Sequence, residues 1–255
     1  MGKTFKTIDD AVIRFAGDSG DGMQLTGGRF TETTAVVGND LSTLPDFPAE
    51  IRAPAGSLAG VSAFQIHFSS KDIHTPGDSP DVLVAMNPAA LKVHQAEIVP
   101  GGTIILNTDA FSKKNLNFAG YESNPIEDGT LDDYFTLIPI EMNKLVTAAC
   151  EGLNMSRKFV GRTKNFFALG VLYYMYDRPL DATEKWLEKK FAGKDVIIEA
   201  NKRAMDAGYN MLTPLSYLLQ GLRLKKLYCP RVHTEILTET MLLRWVYLLL
   251  LKNLV

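Results

Sequence analysis

Short apolar runs alternate with segments of helical spacing along the first 150 residues of this chain. Runs typical of buried strands occupy residues 11–16, 61–69, 82–86, 103–107 and 134–140, and helical patterns follow at 23–37, from Pro88 onward and at 141–150. Strands that alternate with helices pair mainly in parallel, because each helix carries the chain back along the sheet. The pattern therefore predicts an α/β fold with a mainly parallel sheet covered by helices on both faces, a Rossmann-like three-layer arrangement.

The pattern changes to helices alone after Arg162. Residues 165–176, 182–191 and 195–207 have helical spacing, and Gly208 is predicted to stop the last helix. The first of these helices is rich in aromatic residues, which we interpret as core packing rather than a cofactor site. Within the sheet, residues 61–69 alternate in a way that predicts a strand with one face more deeply buried than the other.

A glycine-rich loop is predicted where the first strand meets the first helix. It contains six candidate binding residues, Gly17, Asp18, Ser19, Gly20, Asp21 and Gly22. Backbone N–H groups at such a turn and at the N-terminus of the following helix can bind a phosphate group. The spacing is GxxGxG rather than the GxGxxG of dinucleotide-binding folds, and no GxxxxGK[ST] motif is present, so NAD and ATP are both disfavoured.

The two carboxylates of this loop argue against a simple phosphate site. Asp18 and Asp21 would repel an anion unless a cation or an Arg or Lys side chain lies between them and the ligand. A tight structural turn without a ligand therefore remains an equal alternative for the glycine loop.

A proline-rich segment, residues 45–57, supplies the second candidate site. Its prolines exclude a helix or a central strand, so we expect a long loop after a short strand near residues 41–44. That loop should emerge at the same sheet edge as the glycine loop, where open α/β sheets bind ligands. Arg52 and Ser57 are its candidate anion contacts, although Arg52 could instead pair with Glu50.

The composition excludes several other classes of protein. The formal net charge of −2 gives no basic field for nucleic acid. The cysteines, Cys150 and Cys229, and four scattered histidines have neither disulfide nor metal spacing, so no metal site is predicted and a reduced, cytoplasmic protein is expected. The first ten residues have no apolar core typical of a signal peptide or membrane anchor.

Two of these motifs resemble a known enzyme family. Residues 17–28 read GDSGDGMQLTGG and residues 50–54 read EIRAP, and together they resemble the α subunit of 2-oxoacid:ferredoxin oxidoreductases, especially the 2-oxoglutarate branch. Similarity continues through DVLVAMN at residues 81–87 and IEANKR at residues 198–203. The resemblance covers residues 8 to 210.

The resemblance implies a role within a larger enzyme. Residues 1–210 would be the γ-type domain of the α subunit, which covers the thiamine diphosphate site and helps bind coenzyme A as co-substrate. Thiamine diphosphate, Mg and a 4Fe–4S cluster would belong to the assembled complex, with a β subunit, ferredoxin as electron acceptor and an α2β2 assembly. The glycine loop, Arg52 and Ser57 would face coenzyme A. No catalytic residue is assigned, and the isolated chain is expected to be inactive.

The end of the chain departs from the family. Residues 212–255 contain six Lys or Arg, two Asp or Glu, one glycine and 15 leucines, whereas the preceding residues hold 21 Lys or Arg and 27 Asp or Glu. In a shifted reading frame, each new codon consists of the third base of one codon and the first two bases of the next. Across residues 233–240 that frame can encode Tyr-Arg-Asn-Ile-Asn-Gly-Asn, which resembles the start of the family's pyrimidine-binding domain. Residues 211–255 are therefore interpreted as a frameshifted tail. The rival is an amphipathic or membrane tail, but residues 241–255 are too short to span a bilayer.

Two other functions remain open at this point. A non-catalytic module that binds coenzyme A or a nucleotide, or an inactive fragment, would have the same motifs. A β subunit gene beside this one would favour the oxidoreductase. An ordinary NAD dehydrogenase is disfavoured by the glycine spacing and by the lack of a well-placed acid at the end of the second strand.

Overall fold

A six-stranded sheet forms the centre of the molecule. The structure, a computed structural model, describes residues 5–50 and 53–212 and the backbone of residues 221–224. The strands of the sheet are β2 (Asp10–Asp18), β3 (Asp40–Asp46), β4 (Val61–Ser69), β5 (Val82–Ala85), β6 (Thr103–Asn107) and β7 (Thr136–Ile140). Their order across the sheet is β3-β4-β2-β5-β6-β7. Strand β4 is antiparallel to β3 and β2, and the other pairings, β2 with β5, β5 with β6 and β6 with β7, are parallel.

Helices cover both faces of this sheet. They are α1 (Met23–Val37), α2 (Pro88–His94), α3 (Lys113–Phe118), α4 (Met142–Ala149), α5 (Arg157–Val160), α6 (Lys164–Met175), α7 (Asp181–Lys190) and α8 (Asp195–Met211). One core joins Ile13 and Phe15 of β2 to α1, α4, α6 and α8, and a second joins Ala16 and Leu83 to α2 and α3. The predicted three-layer α/β fold with a mainly parallel sheet and a helical C-terminal part is confirmed.

Two predictions for the strands were inaccurate. Strand β4 is buried on both faces, with only His67 of intermediate exposure, because it lies inside the sheet between β3 and β2 and packs against α1 on one face and α2 on the other. Pro45 and Asp46 belong to strand β3 and not to the loop that follows. Strand β3 forms the edge of the sheet, where a proline without an N–H is tolerated.

Gly208 does not end the last helix, contrary to the prediction, because α8 continues to Met211. A Cβ built on Gly208 would lie 2.0 Å from the carbonyl oxygen of Phe167, and one built on Gly170 would lie 2.0 Å from that of Met205. Gly208 is therefore a packing residue that lets the backbones of α6 and α8 approach closely.

The aromatic helix α6 packs into the core, as predicted. Phe166, Phe167 and Tyr173 are buried, and the ring of Tyr173 stacks on Phe30 of α1 at 5.8 Å between centroids. The Tyr173 hydroxyl shares hydrogen bonds with Thr33 of α1 and Thr183 of α7 at 2.8 and 2.7 Å. These contacts fasten α6 to its neighbours while leaving no polar atom of the Tyr173 side chain unsatisfied.

A polar network lies inside the second core, around Arg14 of β2. The guanidinium Nε and Nη2 of Arg14 donate to Gln65 Oε1 at 2.9 and 2.6 Å, and Nη1 lies 2.9 Å from His94 Nδ1 and also pairs with Glu97. His94 is 2% exposed, so its Nδ1 accepts from Arg14 as a neutral imidazole. Burial, and secondarily the charge of Arg14, lower the pKa of His94 to about 4.

Acid should destabilise the protein through His94. The pKa of His94 is lower in the folded protein than in the unfolded chain, where it is near 6.5. Neutral His94 therefore contributes its full stabilisation of the folded state above pH 6.5, and this contribution is lost as the pH falls toward 4. We expect the free energy of unfolding to fall by about 2 kcal/mol between pH 7.5 and pH 5 from this group. Urea denaturation at both pH values measures it. The variant His94→Gln, which keeps an acceptor for Arg14, should show a smaller loss, and an equal loss would exclude His94 as the cause.

A separate two-stranded sheet pairs β1 (Phe5–Ile8) with β8 (Gly221–Leu224) in parallel. Strand β8 falls within residues 211–255, which the sequence assigned to a frameshifted tail. The rest of that segment beyond Leu212 lies outside the described residues. No helix in the part of the chain that the structure describes is long and apolar enough to cross a membrane.

Candidate functional site

The glycine loop begins two residues later than predicted, because Gly17 and Asp18 are the last residues of β2. A Cβ on Gly17 would lie 3.0 Å from Met86 Cβ, so this glycine lets β2 end close to the end of β5. The connection to α1 is thus Ser19 to Gly22, at the carboxyl edge of the sheet. The loop lies between β2 and β5, where the chain crosses from one side of the sheet to the other, which is the usual ligand position in such folds.

Gly22 starts helix α1 and has a left-handed backbone conformation, with φ of 78°. A Cβ there would also lie 2.6 Å from Asn165 Nδ2, so this position requires glycine for two reasons. No side chain caps the helix, and the N–H groups of its first turn therefore lack the intrahelical acceptors that later residues have. Gly20 differs, because a Cβ there would meet no atom within 4 Å.

The carboxylate of Asp21 is turned inward and neutralised. Lys164 Nζ lies 2.7 Å from Asp21 Oδ1, and both side chains are largely buried. The second oxygen, Oδ2, accepts the backbone N–H of Asp18 at 3.1 Å. Lys164 therefore removes one of the two charges that argued against an anion site. Lys164 was not among the predicted site residues, because its only local signal in the sequence is a cation at the start of the aromatic helix.

The carboxylate of Asp18 faces the proline-rich segment. The backbone N–H of Gly56 donates to Asp18 Oδ1 and Oδ2 at 3.0 and 3.2 Å. Burial is the main cause that raises the pKa of Asp18, opposed first by the Gly56 hydrogen bond. The prediction that the proline-rich loop emerges beside the glycine loop is thus confirmed by a direct contact.

The two other candidate contacts of that loop have different outcomes. Ser57 Oγ donates to the carbonyl oxygen of Pro54 at 2.7 Å, so in this state its hydroxyl proton closes a turn. Arg52 lies outside the described residues. Its role, and the alternative pairing with Glu50, therefore stay predictions.

A crevice of about 380 Å³ opens beside the glycine loop. One wall is formed by Gly20, Asp21 and Gly22, and the other comes from residues 155–166, from Phe191 just after α7, and from α8. Most of the lining is apolar, and its members outside the glycine loop are Leu25, Met155, Phe159, Arg162, Thr163, Asn165, Phe166, Phe191, Ile197 and Asn201. The structure thus places the predicted loop at a cavity that sequence patterns did not reveal.

Arg162 provides positive charge at this crevice. Its side chain is exposed, its guanidinium carbon lies 5.4 Å from the centroid of the Phe159 ring, and it forms no ion pair within the described residues. An exposed guanidinium that lies over an aromatic ring can bind an anion through its N–H groups, and a planar group can stack beside it. The crevice therefore combines an uncapped helix N-terminus, an open glycine and an unpaired cation.

A larger and shallower cleft of about 750 Å³ lies next to α4 and shares Met155 with the crevice. Its charged lining is mixed in sign, with Asp109 and Glu151 beside Lys144 and Arg157. Asp109 Oδ2 already accepts the backbone N–H of Lys144 at 3.0 Å. The smaller crevice is the better candidate site, because it alone contains the glycine loop.

The histidines do not form a metal site in the described residues, where no group of three or more His, Cys, Asp or Glu side chains could hold an ion. His67 Nδ1 lies 2.9 Å from the carbonyl oxygen of Thr75, and His94 contacts Arg14. The thiol of Cys150 is buried and donates to the carbonyl oxygen of Ala200 at 3.7 Å.

Comparison with known proteins gives consistent matches in sequence. Residues 12–211 match the family model of pyruvate ferredoxin/flavodoxin oxidoreductases. The 2-oxoglutarate oxidoreductase subunit KorA of Mycobacterium tuberculosis is 54% identical over 80% of this chain, and the ketoisovalerate oxidoreductase subunit VorA of Methanothermobacter marburgensis is 26% identical over 77%. These alignments cover 31% and 35% of the relatives, so the chain spans about a third of their length.

Solved structures share the fold. The 2-oxoglutarate:ferredoxin oxidoreductase of Magnetococcus marinus, with 2-oxoglutarate, coenzyme A and succinyl-CoA bound, matches 86% of this chain and 33% of its own at a TM-score of 0.63 and 24% identity. The keto/oxoacid ferredoxin oxidoreductase γ subunit of Geobacter sulfurreducens matches 84% of this chain and 99% of its own at a TM-score of 0.56 and 15% identity. The resemblance noted in the sequence is thereby confirmed, and the chain belongs to the pyruvate ferredoxin/flavodoxin oxidoreductase family.

Proposed function

We propose that this chain supplies the γ-type α/β domain of a 2-oxoglutarate:ferredoxin oxidoreductase, and that its glycine-loop crevice helps bind coenzyme A. The observation that carries the proposal is the crevice itself, which is lined by Gly20, by Gly22 at the uncapped N-terminus of α1, and by Arg162. The 54% identity to a 2-oxoglutarate oxidoreductase subunit supports the choice of enzyme. The coenzyme A bound in the Magnetococcus marinus enzyme of the same fold supports the ligand.

The chemistry of the crevice suits such a ligand. Coenzyme A carries phosphate groups and a planar adenine, and a helix N-terminus with a guanidinium is a favourable place for a phosphate. The Phe159 ring is half exposed and offers a surface on which a planar group can stack. The volume of about 380 Å³ is within the range of ligand sites but small, so it would receive one part of the molecule.

Neutralisation of Asp21 by Lys164 makes this role electrostatically possible. With that carboxylate paired at 2.7 Å and Asp18 engaged by Gly56, neither acid offers an unpaired charge to the ligand. The assignment of Gly20, Gly22 and the α1 N-terminus as coenzyme A contacts is part of the proposal, with Arg162 added to the residues predicted from sequence. Arg52 and Ser57 remain proposed contacts from the neighbouring loop.

The reaction would be completed by other parts of the enzyme. Oxidative decarboxylation of the 2-oxoacid releases carbon dioxide, passes two electrons to ferredoxin and leaves an acyl group on coenzyme A. Thiamine diphosphate, Mg and a 4Fe–4S cluster would supply that chemistry when bound in the complex, and the described residues of this chain form no ligand set for them. We accordingly propose a β subunit and ferredoxin as partners, an α2β2 assembly and a cytoplasmic location, without nucleic acid or membrane.

The purified chain alone should therefore show no oxidation of 2-oxoglutarate. Given coenzyme A and thiamine diphosphate, it should not reduce ferredoxin or viologen, whereas the complex of the β subunit with the subunit made from a frame-corrected gene should. Reduction by the single chain above the rate of a buffer control would contradict the proposal. Failure of the complete complex to require coenzyme A would contradict it as well.

The extent of the domain is a further part of the proposal. The family match ends at residue 211, in agreement with a domain of residues 1–210 followed by a tail of different origin. The nucleotide sequence across codons 205 to 255 tests this boundary. A pyrimidine-binding domain readable in another frame would support the frameshift, and its absence in all frames would refute it.

A further inference from the structure

The side chain of Asp18 joins two segments that are far apart in the sequence. It extends from the end of β2 and accepts the backbone N–H of Gly56 with both carboxylate oxygens, at 3.0 and 3.2 Å. Gly56 is buried and has a φ of 84°, a conformation that favours glycine. The contact therefore depends on the left-handed backbone conformation of Gly56 and on the carboxylate of Asp18.

Hydrogen bonds within residues 54–60 also shape the turn that Asp18 contacts. Ser57 N and Ser57 Oγ both donate to the carbonyl oxygen of Pro54, at 3.1 and 2.7 Å, and Gly60 N donates to that of Ser57 at 3.1 Å. These bonds fix the shape of residues 54–60, whose last residues are also held by Glu50 N, which donates to the carbonyl oxygen of Ala59 at 3.1 Å, and lead directly into β4. The hydrogen bond from Gly56 to Asp18 joins the turn to the end of β2, and charge-assisted hydrogen bonds are the stronger kind.

Burial raises the pKa of Asp18, and neighbouring groups oppose this effect only in part. Asn87, at the start of α2, is 4% exposed, and its Oδ1 accepts the N–H of Ala90 at 2.8 Å. Its Nδ2 makes no hydrogen bond within the described residues, yet the amide acts to lower the pKa of Asp18. Lys164 acts in the same direction, whereas Asp21 opposes it.

We propose that Asp18 is a positioning residue, whose carboxylate fastens the Pro54–Gly56 turn to the glycine loop so that the two motifs act as one unit. This explains why a loop suited to anions carries an acid at its start, because the carboxylate faces a backbone N–H of the protein. Its consequence for coenzyme A rests on the proposed function. The attachment itself can be measured without any ligand.

Amide hydrogen exchange of Gly56 in the full chain tests the attachment. Asp18→Asn keeps the shape but removes the charge, and we expect Gly56 to exchange about 10- to 100-fold faster. Asp40→Asn is the matched control, because Asp40 Oδ2 accepts the backbone N–H of Ile73 at 2.8 Å. That variant should accelerate exchange at Ile73 and leave Gly56 unchanged. Unchanged exchange of Gly56 in Asp18→Asn would overturn the proposal.

The pH dependence separates positioning by charge from a merely structural contact. After correction for intrinsic exchange, protection of the Gly56 amide in the wild type should fall as acid protonates Asp18. The charged side chains that influence Asp18 are those of Asp21 and Lys164. The same profile should be flat in Asp18→Asn, and a flat wild-type profile would refute the proposal even if the variant did not fold.

In the assembled complex, Asp18→Asn should weaken coenzyme A binding. Absence of coenzyme A binding in the wild type would instead refute the proposed function, with the exchange result unaffected.

Discussion

Gly208→Ala is expected to lower the free energy of unfolding by about 3 to 5 kcal/mol, or to leave no soluble protein. The added Cβ would lie 2.0 Å from the carbonyl oxygen of Phe167. Carbon and backbone atoms in ordinary contact are roughly 3.5 Å apart, so α6 and α8 would have to separate by roughly 1.5 Å. A carbonyl oxygen inside a helix cannot rotate away as a side chain can. Gly170→Ala should act in the same direction, because its Cβ would lie equally close to Met205 O.

Gly28→Ala is the control for this pair. Gly28 also lies within a helix, α1, but a Cβ there would meet nothing within 4 Å. Alanine favours helix over glycine, so we expect a change between zero and about 1 kcal/mol of stabilisation. Urea denaturation of the three variants measures all of these effects. A midpoint for Gly208→Ala equal to that of the wild type would show that the helices are not in this close contact.

The elements of the fold could be predicted because their signals are local. The helix at residues 23–37 and the strands at 61–69 and 103–107 have the predicted boundaries, since hydrophobic periodicity and turn residues mark them. The role of Gly208 could not be inferred from its neighbours, because it depends on Phe167 in α6, about forty residues earlier in the chain. The burial of both faces of β4 likewise depends on strand order, which alternation within one strand does not determine.

The position of the glycine loop in the fold could be predicted, but the partners of its two acidic side chains could not. The glycine spacing placed the loop correctly at the sheet edge, and the two acids were expected to oppose an anion. What the sequence could not reveal is that Lys164 reaches Asp21 and that Gly56 reaches Asp18, since both contacts arise only when distant segments fold together. Arg162 had no motif of its own, and only the crevice makes it a candidate.

Gly20→Val should weaken coenzyme A binding by at least about 100-fold, which is about 2.7 kcal/mol. The valine side chain would project into open space beside the loop and occupy the place where we propose that coenzyme A approaches the backbone. Because its Cβ meets no atom within 4 Å, the melting temperature should change little. Gly22→Val is unsuitable for this purpose, since φ of 78° and contact with Asn165 would also strain the start of α1.

Calorimetric titration of coenzyme A into the complex assembled from the full-length subunit and its β partner tests the central claim most directly. Gly28→Val serves as the control, because it adds the same side chain on α1 outside the crevice. We expect Kd to rise about 100-fold for Gly20→Val and about tenfold for Arg162→Ala, and to stay unchanged for Gly28→Val. Wild-type affinity in both Gly20→Val and Arg162→Ala, with the complex intact, would contradict the account, because the glycine loop would then be a structural turn and not a coenzyme A site.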